Sequence, residues 1–347
     1  MPEKSEIMIT SLELNQLIQP PRSMHIISTE VKKEQIVCLD NIDYKSTLND
    51  GKMAIDGISH HGKLINISLI NNKTQKKATI VLHLGMSGCV RFLDNYNKEE
   101  EYKNNTVKIV LYSMYTKKYH TLLVIDPRSF GKIYFTEESF ISWIKSHGLA
   151  KDIMAYEDND FIKNFVYHAQ KMPNKTIKEF LLDQNRCAAG VGNYLASEVL
   201  HRSKIHPETT LEAVVDADNS KEITSLILKN IHEIVKTMLM SWGVAMRDFV
   251  SPTGKRGNGE HFLIAYGRKG QTCTLCKDSK IVRKEIAGRP TYFCPNCQEV
   301  LLPKTKDLQE KQADKNSLPK AKMSIPKFNI PPPPAFLSKN PNANSGN

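Results

Sequence analysis

The sequence predicts an α+β protein of several domains: an N-terminal helix with a β-sandwich or flattened barrel, a helical domain, a small cysteine module and a disordered tail. Three observations predict it. From about residue 36 to 136, short runs rich in β-branched and apolar residues alternate with turn formers, with no helical stretch between them. From about 137 to 247 the apolar spacing becomes helical. Cys273, Cys276, Cys294 and Cys297 then form two CxxC pairs with 17 residues between them.

Residues 2–18 read as a helix. Ile7, Met8, Leu12, Leu14, Leu17 and Ile18 fall near helical spacing, Pro2 fits a first helical position, Glu3 and Glu6 suit a helix N-terminus, and Pro20-Pro21 ends the pattern. Strands are expected over Thr79–Leu84, Cys89–Leu93, Val107–Tyr112 and Leu122–Asp126, with a polar surface insertion at 94–105. Thr176–Asn185 and Tyr194–Ser203 read as two helices broken by Gly190 and Gly192. Residues 219–240 read as a long amphipathic helix carrying Ile223, Leu226, Ile227, Ile231, Ile234, Val235 and Met238 on one face. Gly-rich Ser251–Glu260 reads as a mobile loop. Trp143 and Trp242 read as core anchors, and Cys38, Cys89 and Cys187 as buried free thiols. Beyond Leu302 the chain holds eight Pro and little that could form a core. The expected boundaries are 1–136, 137–250, 251–265, 266–302 and 303–347.

Lys and Arg number 48 against 37 Asp and Glu, a net charge of +11. A basic body points to a polyanionic partner, most simply nucleic acid. No run approaches a membrane span, and the polar start lacks a signal peptide, so an intracellular, reducing setting without disulfides is expected. There, paired CxxC spacing suits one tetrahedral zinc ion. Four thiolates leave no open coordination position, so that ion is structural.

Two further signals carry chemistry. From Leu181-Leu182-Asp183-Gln184 through Gly190-Val191-Gly192-Asn193-Tyr194 to Ser197-Glu198, two helices join through a glycine turn. Backbone N–H groups and an amide at a helix N-terminus suit a DNA phosphate. The plainer reading is a tight helical hairpin with Asn193 as N-cap. At the N-terminus, removal of Met1 leaves Pro2 as a secondary amine with a reference pKa of about 8, against about 10.4 for Lys. A neutral amine can attack a sugar carbon, with Glu3 beside it as general acid or base.

Taken in order, Met1-Pro2-Glu3 with Glu6, His83-Leu84-Gly85-Met86-Ser87-Gly88, Asp126-Pro127-Arg128-Ser129-Phe130-Gly131, the Gly190–Glu198 turn, and Gly288-Arg289 before Cys294 resemble the formamidopyrimidine-DNA glycosylase / endonuclease VIII family of repair enzymes. The likeness spans roughly residues 2–299. It implies a helix-two-turn-helix in the helical domain and a zinc finger at the cysteines. It implies Pro2 as nucleophile at C1′, Glu3 (with Glu6 in the same motif) handling protons, and Lys63 near the reacting sugar and phosphate. Met86, Arg128 and Phe130 would fill the space left by a flipped-out base. Asn193, Arg289 and Lys178 would grip phosphates, and 251–265 would cover the lesion. Two departures stand out: Lys4-Ser5 replaces an apolar or Gly residue followed by Pro, and Ser129 replaces a second Arg.

The expected function is therefore a bifunctional DNA glycosylase/AP lyase acting on oxidised bases, leaning to 8-oxoguanine and formamidopyrimidines. The alternatives are the same chemistry on oxidised pyrimidines, or a non-catalytic binder of damaged DNA. A zinc hydrolase is disfavoured by the closed thiolate set. The expected partner is damaged DNA, with no membrane, no small-molecule cofactor and a monomeric state. The Lys/Pro-rich tail would contact DNA or protein. The expected location is intracellular with the DNA: the nucleus in a eukaryote, the cytoplasm in a prokaryote.

Overall fold

Glu3, not Pro2, sets the start of the first helix. In the computed structural model, which describes residues 2–40, 42–49, 51–94, 105–244 and 249–304, helix α1 runs Lys4–Leu17 with Glu3 as N-cap and Pro2 just outside. The Glu6 carboxylate accepts the Glu3 N–H at 2.8 Å, satisfying one of the donors a helix start leaves open. The helix is buried on two sides: Ile7 and Leu14 enter the core of the sheet, while Met8 packs against the core of the helices. Polar residues are therefore enclosed along it, and Leu12, expected on the apolar face, is 53% exposed.

The sheet follows as β1 (Met24–Val31), β2 (Val37–Asp40), β3 (Met53–His61), β4 (Leu64–Asn71), β5 (Lys77–His83), β6 (Cys89–Leu93), β7 (Asn105–Ser113), β8 (Tyr119–Ile125) and β9 (Lys132–Thr136), with a short helix α2 (Tyr44–Leu48) inserted. It begins earlier than the expected residue 36. Among the described residues these nine strands form one sheet in the order β2-β9-β5-β4-β3-β1-β7-β8-β6, antiparallel except for the β2–β9 pair. Ile26, Ile55, Ile67, Ile80, Val124 and Phe135 share its core. Each such side chain contributes roughly 1.5–3 kcal/mol on burial. The insertion at 95–104 and the tail from 305 lie outside the described residues.

The helical part holds α3 (Phe140–Ser146), α4 (Asp158–Lys171), α5 (Ile177–Leu182), α6 (Asn193–Arg202), α7 (Leu211–Asp216) and α8 (Ser220–Met240). Thr176 caps α5, accepting the Glu179 N–H while Glu179 accepts the Thr176 N–H. The helix stops three residues before its expected end because Asp183 turns to accept the N–H groups of Asn185 and Arg186. Gln184 then closes the turn like a backbone unit, accepting from Gly190 at 2.9 Å and donating to the Val191 carbonyl at 2.8 Å. Gly192 is the N-cap of α6, and Asn193 is its first helical residue. On α8 the expected face is buried except for Leu226, which is half-buried.

The stretch 251–265 carries a short 3-10 helix at Gly259–Phe262 and is tied to the body at several points. Thr253 donates its N–H and hydroxyl to Glu13, Phe92 donates its N–H to the Pro252 carbonyl, and Glu198 collects the N–H groups of Ile264, Ala265 and Tyr266. Hairpin β10 (Val282–Ile286) and β11 (Arg289–Phe293) turns through Ala287-Gly288, both with positive φ (54° and 66°), the twist a two-residue hairpin favours. Arg289 opens β11, directly after that turn. Trp143 is buried, but Trp242 is half-buried under the Lys255 ammonium, and Cys38 is half-buried where a buried thiol was expected.

Candidate active site

Glu3 is 1% exposed, with its carboxylate on the N-terminus of α6, where it accepts the N–H groups of Tyr194 (3.0 Å) and Leu195 (3.2 Å). A helix N-terminus favours negative charge. Burial nevertheless dominates and pushes the Glu3 pKa from 4.5 up to about 7, against the opposing pull of Lys63 and those two N–H groups. Near neutrality this acid is half ionised, the condition for passing a proton either way.

The fit around Glu3 is close. A Cβ on Gly192 would lie 2.1 Å from the Glu3 Cδ. Gly192→Ala is therefore expected to slow the single-turnover step that Glu3 serves by about 100-fold, the scale of a small misplacement of a reacting group. The far-UV circular dichroism spectrum should not change. An unchanged rate would show that the position of Glu3 is not critical.

Lys63 follows Gly62 in the β3–β4 turn. Burial lowers its pKa, Glu3 raises it and Arg289 lowers it, so Lys63 lies within electrostatic reach of both Glu3 and the hairpin arginine. A cavity of about 320 Å³ opens beside Lys63, lined by His61, His83, Trp143 and His147 among others. Glu6 is enclosed behind Glu3. Its carboxylate accepts from the Glu3 and Val244 N–H groups and from the Ser5 and Tyr194 hydroxyls, which makes it a brace for the helix start. Tyr194 gave no signal in the sequence beyond its place after Asn193.

Asn193 donates its amide to the Pro290 carbonyl at 2.8 Å, tying the hairpin to α6, while Arg289 is exposed. Lys178 stands apart from the expectation of a surface phosphate contact. It is fully buried, its ammonium donates to the Asn193 carbonyl (3.2 Å) and the Ser197 hydroxyl (3.1 Å), and burial lowers its pKa to about 7.

Met86, Arg128 and Phe130 form a second group at the sheet. Met86 is 39% and Phe130 52% exposed, and the Arg128 guanidinium lies 5.7 Å from the Phe130 ring centre. Gly85, with φ of +61°, lets their two turns touch, since a Cβ there would lie 2.5 Å from the Phe130 backbone. Buried Asp126 braces both turns by accepting the Ser87 hydroxyl (2.8 Å) and the Gly131 N–H (2.7 Å). Lys33 donates to the Asp126 carbonyl and the Ser129 hydroxyl, so a lysine from the β1–β2 connection meets Ser129 where the resemblance leads one to expect an arginine.

The four cysteine sulfurs lie within 4.8 Å of one another, with Cys273–Cys297 and Cys276–Cys294 at 3.7 Å. A tetrahedron with metal–sulfur bonds of about 2.3 Å has edges of about 3.8 Å. The cluster fits a metal ion, and the Leu275, Cys297 and His201 nitrogens lie 3.3–3.4 Å from its sulfurs.

A buried acid with a pKa of about 7, one residue from Pro2 and within electrostatic reach of Lys63 in a basic protein, is suited to proton transfer on a nucleic-acid substrate, and the class of protein this points to is a DNA glycosylase. Residues 1–133 match the family model of the formamidopyrimidine-DNA glycosylase N-terminal domain, and 149–248 that of the formamidopyrimidine-DNA glycosylase H2TH domain. A formamidopyrimidine-DNA glycosylase of Legionella pneumophila is 30% identical over 87% of this chain and 100% of its own length. The chain belongs to the formamidopyrimidine-DNA glycosylase family. Two structures of the Lactococcus lactis enzyme each cover 86% of this chain and 100% of theirs. A mutant with Fapy-dG-containing DNA matches at TM-score 0.71 and 25% identity, and the wild type with oxidised-pyrimidine DNA at 0.69 and 26%. Among the described residues no helix is long and apolar enough to cross a membrane.

Proposed function

We propose that this chain excises oxidised bases from DNA and then nicks the strand, with a lean towards 8-oxoguanine and formamidopyrimidines. The observation that carries the reading is Glu3, buried on the α6 N-terminus within electrostatic reach of Lys63 and one residue from Pro2. The Pro2 nitrogen, freed by removal of Met1, attacks C1′. The C1′–base bond breaks, its electron pair leaves with the base, and the base takes up the proton that the attacking nitrogen sheds. Glu3 gives its proton to the ring oxygen, and the ring opens to an iminium on Pro2. That iminium acidifies C2′, whose proton is lost as the 3′-phosphate leaves. A second elimination releases the 5′-phosphate, and water frees the enzyme.

The remaining residues take roles around this step. Lys63 stabilises the adjoining phosphate. Met86, Arg128 and Phe130 enter the gap left by the displaced nucleotide. Arg289 and Asn193 hold flanking phosphates, while Lys178 and Glu6 support α6 and α1 from within. The four cysteines would hold one zinc ion, which fixes the hairpin and takes no part in the reaction. The partner is damaged DNA, met by a monomer wherever the genome lies. The lobes divide near residue 136, with 137–250 and 266–302 as the helical and zinc units.

A second reading, removal of oxidised pyrimidines, is favoured by the oxidised-pyrimidine DNA bound to the Lactococcus relative. Single-lesion duplexes with borohydride present separate the readings. Adducts forming first on 8-oxoguanine or formamidopyrimidine support the lean, and thymine glycol trapping fastest reverses it. Tight binding without any adduct, even on an abasic site, leaves a binder and removes the enzyme.

A further inference from the structure

Behind Glu3 lies an ion pair that the chemistry above does not use. Lys4 is fully buried, and its ammonium donates to Asp152 at 2.5 Å; the Asp152 side chain is 13% exposed. The accepting oxygen, Oδ2, also takes the Gly62 N–H at 2.7 Å, while Oδ1 takes the Met154 N–H at 2.9 Å. One carboxylate oxygen thus gathers the residue that follows Glu3 and the residue that precedes Lys63.

The carboxylate is itself fixed to the glycine turn before α6. Ile153 donates its N–H to the Ala189 carbonyl, Ala189 to that of Lys151, and Ala150 to that of Gln184. Little slack is left in the packing. A Cβ on Gly62 would lie 2.6 Å from the Ala189 Cβ, and one on Gly190 would lie 3.2 Å from the Lys4 Cδ. Three chain segments that carry Glu3, Lys63 and the α6 N-terminus therefore meet at this pair.

A buried ion pair is weak evidence for stability, because removing two charges from water offsets most of their attraction. A role in fixing geometry is the better account. We propose that Lys4 and Asp152 are positioning residues that set the placement of Glu3 relative to Lys63, and so govern the rate of the covalent step and not the grip on DNA. This rests on the base-excision reading, and wild-type trapping on abasic-site DNA tests that reading by itself.

The test uses the full chain with Met1 removed, borohydride trapping at saturating 8-oxoguanine duplex, where base loss must accompany the adduct, the Kd for a tetrahydrofuran-containing duplex, and the thermal midpoint. Lys4→Met is expected to slow trapping at least tenfold while the Kd moves less than threefold. Asp152→Asn, isosteric and neutral, carries the same expectation should Lys4→Met fail to fold. The double variant Lys4→Met/Asp152→Asn leaves no unpaired buried charge, so its thermal midpoint should exceed that of either single variant while trapping stays slow. Trapping that recovers with the midpoint would reduce the pair to a structural one and overturn the proposal. So would single variants within twofold of the wild-type rate, or a Kd that weakens as much as the rate falls.

Discussion

A chain that retains one extra residue ahead of Pro2 should yield no borohydride-stable adduct with abasic-site DNA, and no strand nick, while still binding a tetrahydrofuran duplex. The reason is electronic. An acylated proline nitrogen has its lone pair in the amide and can neither attack C1′ nor become an iminium. A free α-amine, with a reference pKa of about 8, is neutral far more often at pH 7 than a lysine of about 10.4. Pro2 is also enclosed just ahead of α1, where an added residue would have to be accommodated. The loss should exceed 10³-fold, measured as trapped complex against time by denaturing electrophoresis. Undiminished nicking by the extended chain would mean that the nucleophile lies elsewhere, with Lys63 the first alternative.

Glu3→Gln should separate the two halves of the reaction. Gln cannot deliver a proton, so base excision should fall by about 10²–10⁴-fold, the usual worth of a positioned general acid. An abasic site already opens to an aldehyde without that proton, so trapping on it should fall much less. The wild-type excision rate should show an ionisation near pH 7, and the variant should lose it, because burial holds the Glu3 pKa at about 7. The sign of the stability effect follows from the same shift. The folded chain binds this proton more tightly than the unfolded chain, whose value is near 4.5. Its contribution is fully present below about pH 4.5 and is lost as pH rises through 7. Wild-type stability relative to Glu3→Gln should therefore decline across that window, by on the order of 3 kcal/mol. Thermal melts of both proteins from pH 4.5 to 8 measure it, and a constant difference would contradict the raised pKa.

The features legible in the sequence are those with a local period or a fixed spacing. Strand Cys89–Leu93, the buried face of α8 and the thiol quartet fall where composition and spacing put them. Features that depend on distant partners were not legible. Nothing in the sequence says that Lys4 finds Asp152, 148 residues away, or that Lys178 turns inward to a carbonyl and a hydroxyl. Leu12 was misread for the opposite reason. A helix walled on two sides by different cores does not follow the one-face pattern of an amphipathic helix, so periodicity assigned it a face it does not have. The early end of α5 was hidden in the side chain of Asp183, which competes for backbone donors as short polar residues do.

The bracing of α1 also bears on timing during synthesis. On the proposed mechanism the nucleophile precedes its pocket in the chain: the N–H groups that seat Glu3 come 191 and 192 residues after it, and the Val244 donor to Glu6 comes 238 residues after its acceptor. A half-made chain thus exposes a potential nucleophile without the pocket that arms it. On the proposed mechanism, the chain is armed only once residues through Val244 have emerged and folded.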